Sequence, residues 1–334
     1  MAAYTTIDNP ELYFQTKLYS GDGSTDVSHT FDGSEDMQAN LIWFKRRNGS
    51  ANHFLYDSVR GANRSLVPND TDVEATSGEQ TTFLSSFDSD GFTLGDDSNN
   101  VNGSGQSYAL WAWKESATAG FDIVTYTGTG SAKTENHSLS AKPEFFVVKS
   151  RTFGEQWECY HKSLGATKCV QWDDDSAEAD IAGRFNDTEP TTSVFTVGDA
   201  DAVNKNTYTY VTYLWRSVQG FSKIGSYTGN GNADGTFIYT GFRPAWIMIK
   251  NSSRSSENWN IIDNKRDGYN GSVEPIYINL ALAEATAEPM DLLSNGFKML
   301  RTDGGENASG ATYVYMAFAE QPFVNSNGAP ANAR

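Results

Sequence analysis

The chain predicts an all-β protein, three tandem antiparallel β-sandwich repeats of about one hundred residues each. Three observations predict this. Short alternating runs of Val, Ile, Thr, Tyr, Phe and Trp are abundant, while helical periodicity is scarce. Dipeptides that accept positive φ punctuate those runs, among them Asn48-Gly49, Asp90-Gly91, Asn230-Gly231 and Asn295-Gly296. The same landmarks also recur three times in one order, the signature of an internal repeat.

Each repeat opens on a tyrosine turn: Tyr19-Ser20-Gly21, Tyr126-Thr127-Gly128, Tyr227-Thr228-Gly229. An apolar run ending in lysine follows, at Leu41 to Lys45, Phe145 to Lys149 and Trp246 to Lys250. A second strand comes next, at His53 to Asp57, Trp157 to His161 and Trp259 to Asp263. Glu74-Ala75, Glu178-Ala179 and Glu284-Ala285 mark a loop or a single helical turn. An aromatic strand then carries Phe92, Phe195 or Phe297. The closing strand is led by Tyr108, Tyr210 or Tyr313 and is apolar on both faces, which predicts a central strand covered on both sides. One face holds Ala109, Trp111 and Trp113, or Val211, Tyr213 and Trp215, or Val314, Met316 and Phe318.

The repeats are placed at 17–120, 121–220 and 221–320, with short joints that predict packed units rather than beads on a string. Residues 1–16 precede them. Asn9-Pro10-Glu11 is a helix-start pattern that predicts a short helix from Pro10 to Gln15. Residues 321–334 are rich in Asn, Ala, Gly and Pro and predict an extended arm. Cys159 and Cys169 lie only in the middle repeat, so a disulfide is no part of the shared fold; two reduced core thiols are expected.

The net charge of −17 disfavours nucleic acid and anionic lipid surfaces as partners. No apolar stretch reaches membrane-helix length, and the first residues lack the basic and apolar parts of a secretory signal, so assembly in a cytoplasm is expected. None of His29, His53, His137 and His161 sits in a metal spacing, and no nucleotide or nucleophile motif is present; the chain reads as a non-enzyme without a cofactor. Asp88-Ser89-Asp90 and Asp173-Asp174-Asp175 are the calcium candidates, though neither has a full calcium-loop spacing. Trp172 does not recur, and with Asp173 and Asp174 it forms a candidate rim for stacking on a sugar; the competing reading is a half-buried packing residue. Lys45-Arg46-Arg47, Arg60, Arg64 and Lys265-Arg266 are expected to pair with local carboxylates or a neighbouring subunit. In the unrepeated N-terminal segment, Tyr4, Ile7, Leu12, Tyr13 and Phe14 are candidates to fill a groove on a partner, or else to complete the first repeat.

The first repeat resembles a domain that recurs in virion proteins of marine tailed bacteriophages. The resemblance runs through Leu41 to Arg46, Tyr56 to Ala62, Ser86 to Phe92 and Tyr108 to Lys114. The third is similar through Gly241 to Lys250, Asp263 to Asp267 and Leu292 to Lys298, and the middle repeat departs most, with Tyr160-His161-Lys162-Ser163-Leu164-Gly165. The resemblance implies a lectin-like, jelly-roll β-sandwich on the virion exterior, in a tail fibre or head appendage, with no catalytic residues to carry over. The expected function is thus structural, contributing to host attachment. Capsid decoration and a carbohydrate-binding module are the alternatives. The expected partners are other virion proteins, a host surface glycan and further copies of the chain, a trimer being the candidate oligomer.

Overall fold

The tyrosine-led strands Ser107–Trp113, Thr209–Trp215 and Thr312–Pro322 each lie inside a large antiparallel sheet. In this computed structural model, which describes residues 4–96, 98–266, 270 and 274–330, three such sheets share one strand order. On one side the central strand pairs with Phe14–Ser20, Phe121–Thr127 or Ser222–Thr228. On the other it pairs with the lysine-bearing strand, Leu41–Arg46, Phe145–Ser150 or Phe242–Asn251. Beyond that lies Phe54–Asp57, Glu158–His161 or Asn260–Asp263. The second sheet adds Lys168–Gln171 and Ala179–Asp180, and the third adds Ile276–Tyr277.

Small sheets cover the outer faces: Val27–His29 with Gly91–Leu94 and Leu84–Asp88, Lys133–Asn136 with Val194–Val197, and Phe237–Tyr239 with Gly296–Met299 and Met290–Leu293. Phe92, Phe195 and Phe297 point from them into three separate cores. In each core two tyrosines on paired strands stack: Tyr19 on Tyr108, Tyr126 on Tyr210 and Tyr227 on Tyr313, with centroids 5.0, 5.1 and 4.8 Å apart.

The inner faces of the large sheets meet in a fourth core common to all three. Trp113 contacts Trp215, Trp246 and Phe318 at 6.2, 5.5 and 5.8 Å. A strand whose alternate residues enter two different cores must be apolar on both faces, and this is why Tyr108 and Leu110 oppose Trp111 and Trp113. Cys159 and Cys169 obey the same rule. Cys159 faces the common core, Cys169 faces the core of the second sandwich, and both thiols are free.

At the N-terminal end one expectation needs correction. The predicted helix from Pro10 to Gln15 is a single 3-10 turn, Pro10–Leu12, capped by the Asn9 side chain. It stops early because Phe14 is already in register with Trp113 and the pairing runs on to Ser20. The C-terminal stretch is held by residues of the same chain over its described length. Its strand continues to Pro322 against Phe242, Val324 bridges to Pro330, and the Ser326 amide donates to Asp8 at 2.7 Å. Residues 331–334 lie outside the described residues. The Glu-Ala segments are loops rather than helical turns, except that Ala179 begins a two-residue strand.

Candidate binding surfaces

The sugar-stacking role expected of Trp172 does not survive its burial: only 1% of it is exposed. Its ring lies in the common core against Trp43, Trp157 and Phe145, which leaves no face for a ligand. The neighbouring carboxylates are occupied as well. Asp173 accepts from the Trp157 amide at 2.9 Å, and burial pushes its carboxyl up to about 6. Asp174 accepts from the Asp175 amide and the Ser176 hydroxyl. In the other calcium candidate, Asp88 accepts from Ser86 and Thr93 and Asp90 from the Met37 amide. No group of three or more potential metal-ligating residues occurs among the described residues.

The candidate N-terminal anchor is also largely spent inside the molecule. Ile7 and Phe14 are buried in the common core, with Phe14 stacked on Phe318 at 5.0 Å. Tyr13 packs on Phe221, Tyr4 donates to the Gly241 carbonyl at 2.8 Å, and Leu12 is half-buried. The segment ties the first sheet to the third, so it completes the fold instead of presenting an apolar strip to a partner.

Some of the basic residues find carboxylates, whereas Lys45 donates to the Ala51 carbonyl and Arg46 to the Asn48 and Gln106 side chains. Arg60 pairs with Asp57 and Glu74, Arg266 with Asp263 and Glu284, Arg47 with Glu284, and Arg64 approaches Glu74. Arg47–Glu284 crosses between sheets, and backbone bonds at the three Glu-Ala pairs do so in one cyclic direction. The Glu74 amide donates to Arg151, that of Glu178 to Ser252 and that of Glu284 to Arg47, so first meets second, second meets third, and third meets first. Ring N–H groups follow the reverse sense. Trp157 donates to Val67 and Asp70, Trp259 to Gln171, and the His53 ring meets the Tyr277 carbonyl at 3.0 Å. Because His53 Nδ1 accepts from the Trp43 indole, Nε2 carries the proton and His53 acts as an indole substitute. These joints were invisible in sequence, although the recurring Glu-Ala pairs marked their positions.

Two of the surface clefts among the described residues gather polar side chains or tyrosine hydroxyls beside the third large sheet. The first, about 190 Å³, is lined by Glu257, Asn260, Tyr277, Arg301, Asp303 and Glu306. Burial, with a hydrogen bond to Asp303, pushes the Glu306 carboxyl well above the usual range, and burial raises Glu257 too. Arg301 holds Asp303 at 2.6 Å. The second cleft, about 260 Å³, lies where Ser217 to Lys223 meets Tyr4 and Tyr239 to Gly241. The Tyr4 and Tyr239 hydroxyls are 3.3 Å apart. Gly241 sits at φ +85°, and a Cβ there would come within 2.8 Å of the Tyr4 hydroxyl, so this position requires glycine.

The fold defines an all-β, sandwich-like protein whose large antiparallel sheets share a common aromatic core. The chain belongs to the family described as domain of unknown function DUF7483, whose model matches residues 9–322. No curated protein matches it.

Proposed function

We propose that this protein is a structural component of a bacteriophage particle's exterior, a tail fibre or similar appendage that contributes to host attachment. It is read as three tandem lectin-like β-sandwiches, at 17–120, 121–220 and 221–320. The observation that carries this is the closed ring of three like-ordered sheets around one aromatic core. Such closure makes a rigid block, and rigidity is what an exposed appendage under shear needs. The shared strand order and the triplicate tyrosine stack support the repeat reading. The resemblance of the first and third segments to virion domains supports the location. The block buries its own threefold interface, so a single chain supplies the packing that a trimeric fibre draws from three, and trimerisation is not required for the fold.

The test is gold labelling of intact particles with an antibody against the chain. Label on fibres or tail tip is expected. Label spread over the head would replace attachment by capsid decoration, and unlabelled particles would remove the virion reading.

A further inference from the structure

Tyr239 and Phe237 are 51% and 45% exposed, and they stand on the same face of a three-residue edge strand whose middle residue, Ile238, is buried. Large rings seldom stay in water without a purpose when they cluster beside a cleft. At i and i+2 of a strand the two rings sit roughly 7 Å apart and side by side. The corresponding strands of the other two sandwiches lack them. Lys298 lies opposite Phe237 as Thr93 lies opposite Ser28 and Thr196 opposite Thr134, and the next outward position holds Tyr239, Thr30 or Asn136. The fold therefore does not need rings here.

We infer that Tyr239, Phe237 and Tyr4, with the adjoining cleft, form a binding site for a neutral pyranose ring of a glycan. The volume, about 260 Å³, is below the roughly 300–1,000 Å³ of pockets for drug-sized ligands and suits one sugar ring. The Tyr239 ring offers an aromatic face for the apolar C–H side of the sugar. The Tyr4 and Tyr239 hydroxyls and the Lys223 amine supply hydrogen bonds for its hydroxyls. Lys223 makes no ion pair among the described residues, so its donors are free for a ligand. The net charge of −17 selects against acidic sugars, because the summed field of the protein repels a polyanion from a site with one lysine. An incoming β-strand is the competing occupant, but three residues give a short template for pairing.

The inference adds a ligand class to the attachment reading proposed above, and its test does not depend on particle location. The full chain is applied to an array of neutral glycans and of glycans bearing uronate or sulfate. Binding to at least one neutral glycan is expected, insensitive to salt. Tyr239→Ala should weaken it at least tenfold and Phe237→Ala several-fold, while Tyr239→Phe retains most of it. Both side chains are exposed, so unchanged thermal midpoints will show that the variants fold. Silence on the whole array, binding to acidic glycans alone, or binding unchanged in Tyr239→Ala would each overturn the site. Labelled particles with a silent array would remove only this site, whereas glycan binding with unlabelled particles would remove only the virion reading.

Discussion

At Asp57 and Asp263 a buried carboxylate reaches from one sheet to the next. Asp263 accepts from the Trp111 indole at 3.0 Å and from Arg266 at 2.7 Å, and Asp57 accepts from the Tyr213 hydroxyl at 2.7 Å and pairs with Arg60. Burial alone would raise the Asp263 carboxyl, but Arg266 and its hydrogen bonds hold it below the usual carboxylate range. At the third joint the pattern changes as a set. His161 stands in the acid's place, Leu164 in the arginine's, and the facing position on the central strand is Met316, which has no proton to donate. An aspartate there would be buried without the cross-sheet indole or hydroxyl donor and the arginine that Asp263 and Asp57 have, so a neutral ring contacting the Tyr315 carbonyl at 3.4 Å takes over. Burial keeps His161 neutral by pushing its imidazole down to about 4. The divergence of the middle segment is therefore a compensated exchange rather than a lost binding loop. His161→Asp should cost about 3–5 kcal/mol, the magnitude for an unpaired buried charge, and His161→Asp with Leu164→Arg should regain part of it. Urea unfolding midpoints of the single and double variants decide this; a double variant no better than the single would refute the exchange. Asp263→Ala should likewise lose about 3–5 kcal/mol by orphaning Arg266.

The strands Phe14–Ser20 and Ser107–Trp113 join the N-terminal segment to the fold, and Phe14 is the residue on which that join depends. It touches Trp113, Trp246 and Phe318, so it links the first sheet to the third. Truncation removes a ring from a dry core that cannot fully collapse. Phe14→Ala should therefore cost about 3–5 kcal/mol, read as a lowered denaturant midpoint. A Phe14 that served only to dock on a partner would leave the midpoint unchanged. The strands themselves were legible, because a local rule fixes them: Ala109, Trp111 and Trp113 alternate with Tyr108 and Leu110, and the alternation declares two covered faces. The destination of a side chain between sheets was not. Trp172 beside three aspartates reads locally as a rim residue, yet Trp43 and Phe145, distant in sequence, close over it. The early strand start at Phe14 was hidden for the same reason, since cap chemistry at Asn9 is local and pairing with Trp113 is not. The exposed rings of Phe237 and Tyr239 gave no sequence signal, because the same alternation serves a core strand.

Across the whole molecule, the three large sheets stabilise one another through a core that none of them can complete alone, and three buried lysines join that arrangement. Lys149 donates to the Thr71 carbonyl of the first sandwich at 2.8 Å, Lys250 to the Asp175 carbonyl of the second at 3.2 Å, and Lys45 to Ala51, whose amide in turn donates to Ala281 of the third. All three accept no full compensation for the lost water, and burial pushes each amine down to about 8. An unfolded chain holds these protons up to about pH 10.4. Between about pH 8 and 10 the unfolded state therefore binds more protons than the folded one, and stability rises with pH across that window. The buried tyrosines set the upper limit: Tyr19, Tyr126 and Tyr227 are raised well above 10 by burial, so above about pH 10 the unfolded chain loses protons first and stability falls. Unfolding free energy should thus peak near pH 10, with a gain of about 1–2 kcal/mol per lysine from pH 8. Methionine at one of these positions should remove that lysine's share of the slope. The rise should also appear in one cooperative transition, not three, because unfolding one sandwich would bare Trp113, Trp215 and Phe318 on the other two. Urea melts followed by tryptophan fluorescence and by far-ultraviolet circular dichroism from pH 7 to 11 measure both properties together. Coincident curves with a maximum near pH 10 are expected. Separate transitions would mean that the sandwiches fold as independent units, and a flat profile would mean that the lysines keep their solvent-like protonation.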